Sequence, residues 1–257
     1  MVLRVLILGG TTEASALGRL LAGDMRFAAT LSLAGRTAAP RAQPLPTRLG
    51  GFGGIDGLAR FLAEHAVEAV VDATHPYADQ MSAHAVAACA RTGTPLASLV
   101  RPPWIRHAED LWQVVPSTAD AANALGPAPR RVFLSLGRQE LRAFAAAPQH
   151  RYLARVIEPP EAVGLPPDLR ILRARGPFDR AAEEKLLASQ EIELLVSKNA
   201  GGMATYAKIE AARALRLPVI MIARPLKPVG HAVGNASEAV AWLGQLHDDI
   251  PCSPRGV

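Results

Sequence analysis

Only two cysteines occur in the 257 residues, Cys89 and Cys252, which makes neither a disulfide framework nor a metal pattern. Aromatic residues amount to 5%, too few to support a stacking platform for nucleic-acid bases. No apolar run approaches the roughly 18 residues that suggest a membrane span. The N-terminus enters a strand directly, without the basic region, apolar core and cleavage site of a secretory signal. A cytoplasmic protein that binds neither membrane nor nucleic acid is expected. There is no G-x-S-x-G elbow, no Walker lysine motif and no Cys/His zinc spacing. Serine hydrolases, kinase-like ATPases and zinc enzymes are thereby disfavoured, and no metal is expected.

Apolar residues make up 49% and charged residues 20%, a globular balance that can bury a substantial core. The formal charge is +5, but the arginines are scattered singly through loop sequences. Cations at strand ends suit a carboxylate-rich or phosphate-rich ligand.

The most informative stretch is the first. Leu3 to Leu8 is an apolar run that reads as a strand, followed by Gly9-Gly10-Thr11-Thr12-Glu13 and a helical pattern through Leu21. Strand, glycine turn and helix start in one window form a recipe for a phosphate site. Gly9 and Gly10 let the backbone approach a pyrophosphate, and the Thr11 and Thr12 hydroxyls can donate to it. Glu13 belongs to the same loop, with capping its simpler role. The second and third glycines of G-x-G-x-x-G are missing, so an ordinary tight turn stays open.

Phe27 to Leu33 is the second strand. Its end normally carries an acidic residue for a ribose 2′-hydroxyl, and none occurs between Phe27 and Thr37. Arg36 stands there instead, with Ser32 and Thr37 as donors. A guanidinium suits a 2′-phosphate and so favours NADPH; the alternative is a solvated loop arginine. The Pro/Gly-rich stretch 38–54 is loop with a short strand near Arg48 to Phe52, and a helix runs from Asp56 to His65. Glu68 to Ala73 is a third strand, ending in Thr74-His75-Pro76-Tyr77-Ala78. Polar residues at the carboxyl end of a parallel strand mark a ligand site, with His75 and Tyr77 as catalytic candidates and Thr74 beside the cofactor. A helix from Asp79 to Arg91 and a strand from Leu96 to Val100 follow. Arg101, at the next strand end, serves either as a substrate cation or as a linker ion pair.

The alternation resumes after Arg101-Pro102-Pro103-Trp104. Strands are expected at Leu111–Val115, Arg131–Leu136, Tyr152–Val156, Leu169–Arg173, Glu193–Ser197 and Val219–Ile222. Helices are expected at Ser117–Leu125, from near Glu140, and at Asp179–Leu187, Thr205–Leu215 and Ser237–Leu246. Ser135, Gly137 and Arg138 resemble a second anion site before a helix. Lys198, Asn199, Gly201 and Gly202 follow a strand and can form a concave anion pocket. The fold class is α/β: two doubly wound, Rossmann-like parallel-sheet domains with a ligand cleft between them. The domains are residues 1–103, which bind cofactor, and 104–247, with 248–257 a tail. A nicotinamide reductase is the leading reading of the residues.

The blocks GGTTEA, SLAGRT, DATHPYA, RPPW, SLGRQ, RGPF, SKNAGG and IARP occur in that order over almost the whole chain. With them the chain resembles the precorrin-6A reductase family, the CobK-type enzymes of corrin-ring biosynthesis. The resemblance implies NADPH-dependent hydride transfer to the precorrin-6A macrocycle, giving precorrin-6B, with a cobalt-containing substrate in some relatives. It implies an anionic tetrapyrrole and neighbouring corrin-pathway enzymes as partners. Separated Arg and Lys residues complement the acetate and propionate groups of such a ring. A tetrapyrrole methyltransferase and a non-catalytic two-lobed anion-binding protein are the rival readings.

Overall fold

A computed structural model describes residues 1–35 and 42–249 of the chain. In chain order the elements are β1 (Leu3–Leu8), α1 (Thr12–Leu21), β2 (Phe27–Leu33), β3 (Thr47–Leu49), α2 (Gly54–Glu64), β4 (Ala69–Asp72), α3 (Asp79–Thr92) and β5 (Leu96–Leu99). Then come β6 (Trp112–Val115), α4 (Thr118–Asn123), β7 (Arg131–Ser135), β8 (Arg151–Val156), β9 (Leu169–Arg173), α5 (Arg180–Ser189) and β10 (Leu194–Lys198). The last are α6 (Ala207–Ala214), β11 (Val219–Ile222), β12 (His231–Val233) and α7 (Ala236–Asp248).

The chain divides into two compact units, Met1–Arg101 together with the segment from Leu226 onward, and Pro102–Pro225. The first contains a six-stranded sheet ordered β12-β5-β4-β1-β2-β3, and the second one ordered β6-β11-β10-β7-β8-β9. Every strand pair in both sheets is parallel. Parallel strands covered on both faces need apolar side chains in both directions, and β1 shows this. Leu3, Val5 and Ile7 pack with Leu17, Leu21 and Leu243 on one face, while Leu6 and Leu8 pack with Leu58 and Leu62 on the other. Truncating a leucine such as Leu6, which is fully buried, costs about 2–5 kcal/mol in cores of this kind. In the second unit Phe133, Leu195, Val219 and Met221 form the equivalent core with Leu187 and Ile209.

In the first unit β1 pairs with both β2 and β4. The chain turns to opposite sides of β1, so the loops after β1 and β4 border the crevice where open α/β sheets take ligands. In the second unit the corresponding neighbours are β7 and β10.

The structure changes several boundaries. After Pro225 the chain returns to the first unit, where β12 pairs with β5 and α7 packs on the α1 side. A second domain running on to 247 therefore does not describe the chain. β12 has only three residues, too short to show a period, and Gly230 before it sits where a Cβ would meet the Leu96 carbonyl oxygen at 2.3 Å. The segment beginning at Glu140 is a 3-10 helix, Glu140–Ala146, rather than an α-helix. Helix α6 starts only after a 3-10 turn at Met203–Thr205. Helix α7 extends to Asp248, the first residue of the expected tail; residues 250–257 lie outside the described residues.

Candidate functional site

At the carboxyl edge of the first sheet, Gly9 and Gly10 turn the chain from β1 into α1. Gly10 has φ +108°, and a Cβ on Gly9 would lie 2.6 Å from Leu31 Cδ1, so both positions suit glycine. Thr11 is the N-cap: its Oγ1 accepts from the Ala14 N–H at 3.1 Å. The same hydroxyl donates to the Ala73 carbonyl at 2.7 Å, tying the loop after β1 to the loop after β4. That hydroxyl is engaged within the protein, so Thr11 presents its helix-start backbone rather than its side chain. Thr12 Oγ1 donates to Glu13 at 3.0 Å, and Glu13 pairs with Arg101 at 2.6 Å. The cap is thus Thr11 and not Glu13, whose charge Arg101 offsets at the helix start.

Beyond β4, Asp72 is buried and collects a network. It accepts from the Thr74 N–H at 3.0 Å, the Thr74 hydroxyl at 2.6 Å and the Ser82 hydroxyl at 2.5 Å. Lys227, on the segment returning from the second unit, lies 3.3 Å from Asp72 and donates to Thr74 Oγ1 at 3.1 Å. Thr74 is therefore held from two sides. In the following turn His75 Nδ1 accepts the Tyr77 N–H at 3.3 Å, and the His75 and Tyr77 rings lie 5.6 Å apart. An accepting Nδ1 leaves the proton of a neutral imidazole on Nε2.

At the end of β2, Ser32 is buried and its hydroxyl accepts from Arg48 at 3.0 Å. Arg48, on β3 directly opposite Ser32, also donates to the Gly50 and Gly51 carbonyls. Its guanidinium stacks 3.9 Å over the Phe52 ring. Arg36 and Thr37 lie outside the described residues.

The second unit has a differently built edge. Asn199 clasps Trp104 with both ends of its amide: Oδ1 accepts the Trp104 N–H at 2.8 Å, and Nδ2 donates to the Trp104 carbonyl at 3.0 Å. Trp104 Nε1 donates to the Gly202 carbonyl at 3.0 Å. Arg224 donates to the carbonyls of Asn199, Ala200 and Pro102. Gly201 has φ +65°, and a Cβ there would meet the Pro102 carbonyl oxygen at 2.2 Å. Gly201 thus admits protein backbone. Lys198 pairs with Glu140 at 2.6 Å, and Glu140 also fills the space over Gly137, where a Cβ would meet its Oε2 at 2.4 Å. Arg138 pairs with Glu158 at 3.2 Å. Ser135, at the end of β7, is half-buried beside them in sequence, and its Cα pairs with Ser197 of β10.

Behind this edge Arg155 and Glu183 form a buried ion pair, with the Arg155 guanidinium 3.7 Å over the Phe178 ring. Lys208 is buried next to them, donating to the Thr205 carbonyl at 3.1 Å and lying 4.8 Å from the Trp104 ring. Burial first, then the Arg155 charge, push its ammonium down to about 7 against the pull of Glu183.

The comparisons decide the family. The model described as "Precorrin-6x reductase CbiJ/CobK" matches residues 4–244. The chain belongs to this family. A precorrin-6A reductase from Rhodobacter capsulatus is 52% identical over 254 residues, covering 99% of both chains. One from Sinorhizobium sp is 49% identical over 237 residues, covering 92% of this chain and 91% of the other. The solved structure "CobK precorrin-6A reductase" superposes with a TM-score of 0.90 at 52% identity, covering 99% of this chain and 100% of that one.

This precorrin-6x reductase family member is a reductase of cobalamin biosynthesis with two Rossmann-like domains. Sequence reasoning missed Arg48, Lys227 and the structural role of Trp104 in it. Lys227 gives no local signal, because its partners Asp72 and Thr74 lie far away in sequence. Arg48 does give one, the run GGFGG that follows it, which folds back to receive its guanidinium.

Proposed function

We propose that this protein reduces precorrin-6A to precorrin-6B by hydride transfer from NADPH, in the cytoplasm. The observation that carries the reading is the Gly9-Gly10-Thr11 turn fastened to Ala73 at the sheet's crossover, in a chain of this family. NADPH, when bound, supplies the hydride.

The protein's own groups orient and neutralise. The N–H groups at the start of α1, with Gly10 free of a side chain, receive the pyrophosphate, and Thr12 lies beside them. Arg101 offsets the Glu13 carboxylate, which would otherwise repel phosphate at that helix end. Ser32, Arg36 and Thr37 are assigned to the adenosine ribose and its 2′-phosphate. Thr74, fixed by Asp72 and Lys227, sets the loop that carries His75 and Tyr77. His75 is assigned to hydrogen-bond the macrocycle through Nε2–H, with the Tyr77 backbone N–H fixing its ring, and the proton that the macrocycle gains comes from water. Arg138 and Lys198, each paired with a glutamate, are assigned to ligand carboxylates or phosphates, together with Ser135 and Gly137 of the loop after β7. Asn199, Gly201 and Gly202 shape the loop next to Lys198.

The test is anaerobic incubation of purified protein with precorrin-6A and NADPH, following NADPH absorbance and product mass. Stoichiometric NADPH loss with a gain of two hydrogens supports the reading. Binding of the tetrapyrrole without NADPH loss overturns it.

A further inference from the structure

Lys198, at the end of β10, meets a carboxylate of its own chain before any ligand arrives. Its ammonium pairs with Glu140 Oε1 at 2.6 Å, and both side chains are partly buried. β10 and β7 are neighbours, with Ser197 opposite Ser135, so the pair ties together the loops that leave two adjacent strands. Only one oxygen of the Glu140 carboxylate is used. Oε2 is buried and has no donor. Such an oxygen has lost its hydration and gained no hydrogen bond in return.

Local structure does not account for this placement. Glu140 stands in the first turn of the 3-10 segment, three residues after Gly137, where a glutamate often reaches back to a backbone N–H. Its own N–H donates to the Gly137 carbonyl at 3.1 Å, but its carboxylate bonds to Lys198 rather than to a backbone N–H. The carboxylate also lies over Gly137, where a Cβ would meet Oε2 at 2.4 Å. Glu183 likewise has a buried Oε2 without a donor. That carboxylate is sealed in the core with Arg155, the two side chains 4% and 5% exposed, where no ligand arrives. Glu140 instead stands at the carboxyl edge of a parallel sheet, where open α/β sheets take ligands, and Gly137 is exposed.

We propose that Glu140 is a resident competitor for a substrate carboxylate: it holds the place on Lys198 and over Gly137 that a carboxylate of the tetrapyrrole takes, and binding exchanges one for the other. The inference rests on the assignment of Lys198 to an anionic ligand, and deepens it by naming the group that must leave and the chemistry that replaces it. The occupant indicates that chemistry, since a place that fits one carboxylate fits another. The exchange sets a threshold. Lys198 gives up one carboxylate for another, so a lone carboxylate gains little and still loses its translational freedom. A macrocycle anchored by its other acidic groups delivers a carboxylate at high effective concentration and displaces the resident. Once released, Glu140 regains hydration at Oε2.

The experiment measures dissociation constants for precorrin-6A, read anaerobically by tetrapyrrole absorbance with NADP⁺ present, which has no hydride to give. NADPH affinity is measured separately. The proteins are wild type, Glu140→Gln, Glu140→Ala, Lys198→Met and the double variant Glu140→Gln with Lys198→Met. Removal of an internal competitor predicts precorrin-6A bound roughly 3- to 10-fold more tightly by both Glu140 variants. Lys198→Met should weaken binding, and adding Glu140→Gln to it should change affinity by less than about 2-fold. Glu161→Gln removes the same charge from the exposed Arg142–Glu161 pair and controls for general electrostatic attraction; less than about a 2-fold change is expected. If the Ala variant does not fold, the nearly isosteric Gln variant carries the comparison. Unchanged or weaker precorrin-6A binding in Glu140→Gln would make Glu140 a support for Lys198 and overturn the inference, while wild-type binding leaves the ligand assignment in place. So would an equal gain in Glu161→Gln, or a gain that persists without Lys198. Tighter NADPH binding with unchanged precorrin-6A binding would put a cofactor phosphate there and overturn the carboxylate exchange. Failure of wild type and both Glu140 variants to bind precorrin-6A would overturn the ligand assignment and this inference together.

Discussion

Asn199 and Trp104 are joined by a reciprocal pair of hydrogen bonds, the asparagine amide accepting from one backbone group of the tryptophan and donating to the other. The amide thus does the work of a strand partner at a position where no strand passes. It fixes the start of the second unit to the loop after β10, and Arg224 and the Trp104 indole secure the same loop.

Replacement of Asn199 by Ala removes both bonds and leaves two backbone groups without their partners. A loss of about 2 kcal/mol in unfolding free energy is expected. Asn199→Asp should be nearly as damaging, because a carboxylate accepts the Trp104 N–H but cannot donate to its carbonyl. Urea unfolding measures this, and an Asp variant as stable as wild type would remove the reciprocal pair from the account.

Asp72 and Lys227 should behave as a coupled pair. Lys227→Met strands a carboxylate that is only 1% exposed, and a destabilisation of about 3 kcal/mol is expected from a pair of this kind. The double variant Asp72→Asn with Lys227→Met should recover much of that loss. A double-mutant cycle with no coupling energy would show that the two charges do not sense each other.

Lys208 predicts a pH dependence. Its ammonium has a folded-state pKa of about 7, against a model-compound value of 10.5. Between those values the unfolded chain binds more protons than the folded one. Stability therefore rises with pH across that window, and the contribution is lost as pH falls toward 7. Lys208→Met should flatten that rise; melting curves from pH 7 to 10 measure it, and an unchanged slope in the variant would contradict the assignment.

Gly10 carries a positive φ in the turn after β1, the turn we assign to the pyrophosphate. Gly10→Ala is expected to cost about 1 kcal/mol of backbone strain. NADPH affinity should fall by tenfold or more, since a methyl group enters the space reserved for the pyrophosphate. Calorimetric unfolding alongside nucleotide titration separates the two effects. Stability loss without affinity loss would move the phosphates away from this turn.

How far the fold could be read depends on element length. The β1 and β4 runs announce themselves because strands covered on both faces are apolar at nearly every position, Arg4 and Asp72 excepted, and glycine marks the turn after β1. β3 and β12, at three residues each, fall below any detectable period, so the return of the chain to the first unit is invisible until β12 is seen beside β5. The site divides in the same way. Gly9, Gly10 and His75 are proposed from their local windows alone. Asn199 looks like a ligand residue in its own window, and only its partner 95 positions away shows where its amide is spent. Arg48 was hidden by a Pro/Gly-rich stretch that reads as loop, although the glycine run beside it was the available signal.

Hydrogen exchange with and without NADPH tests most directly whether the first unit holds the cofactor. The account predicts slowed exchange at the amides of residues 9–14 with NADPH bound. Protection confined to the second unit, or none at residues 9–14, would contradict it.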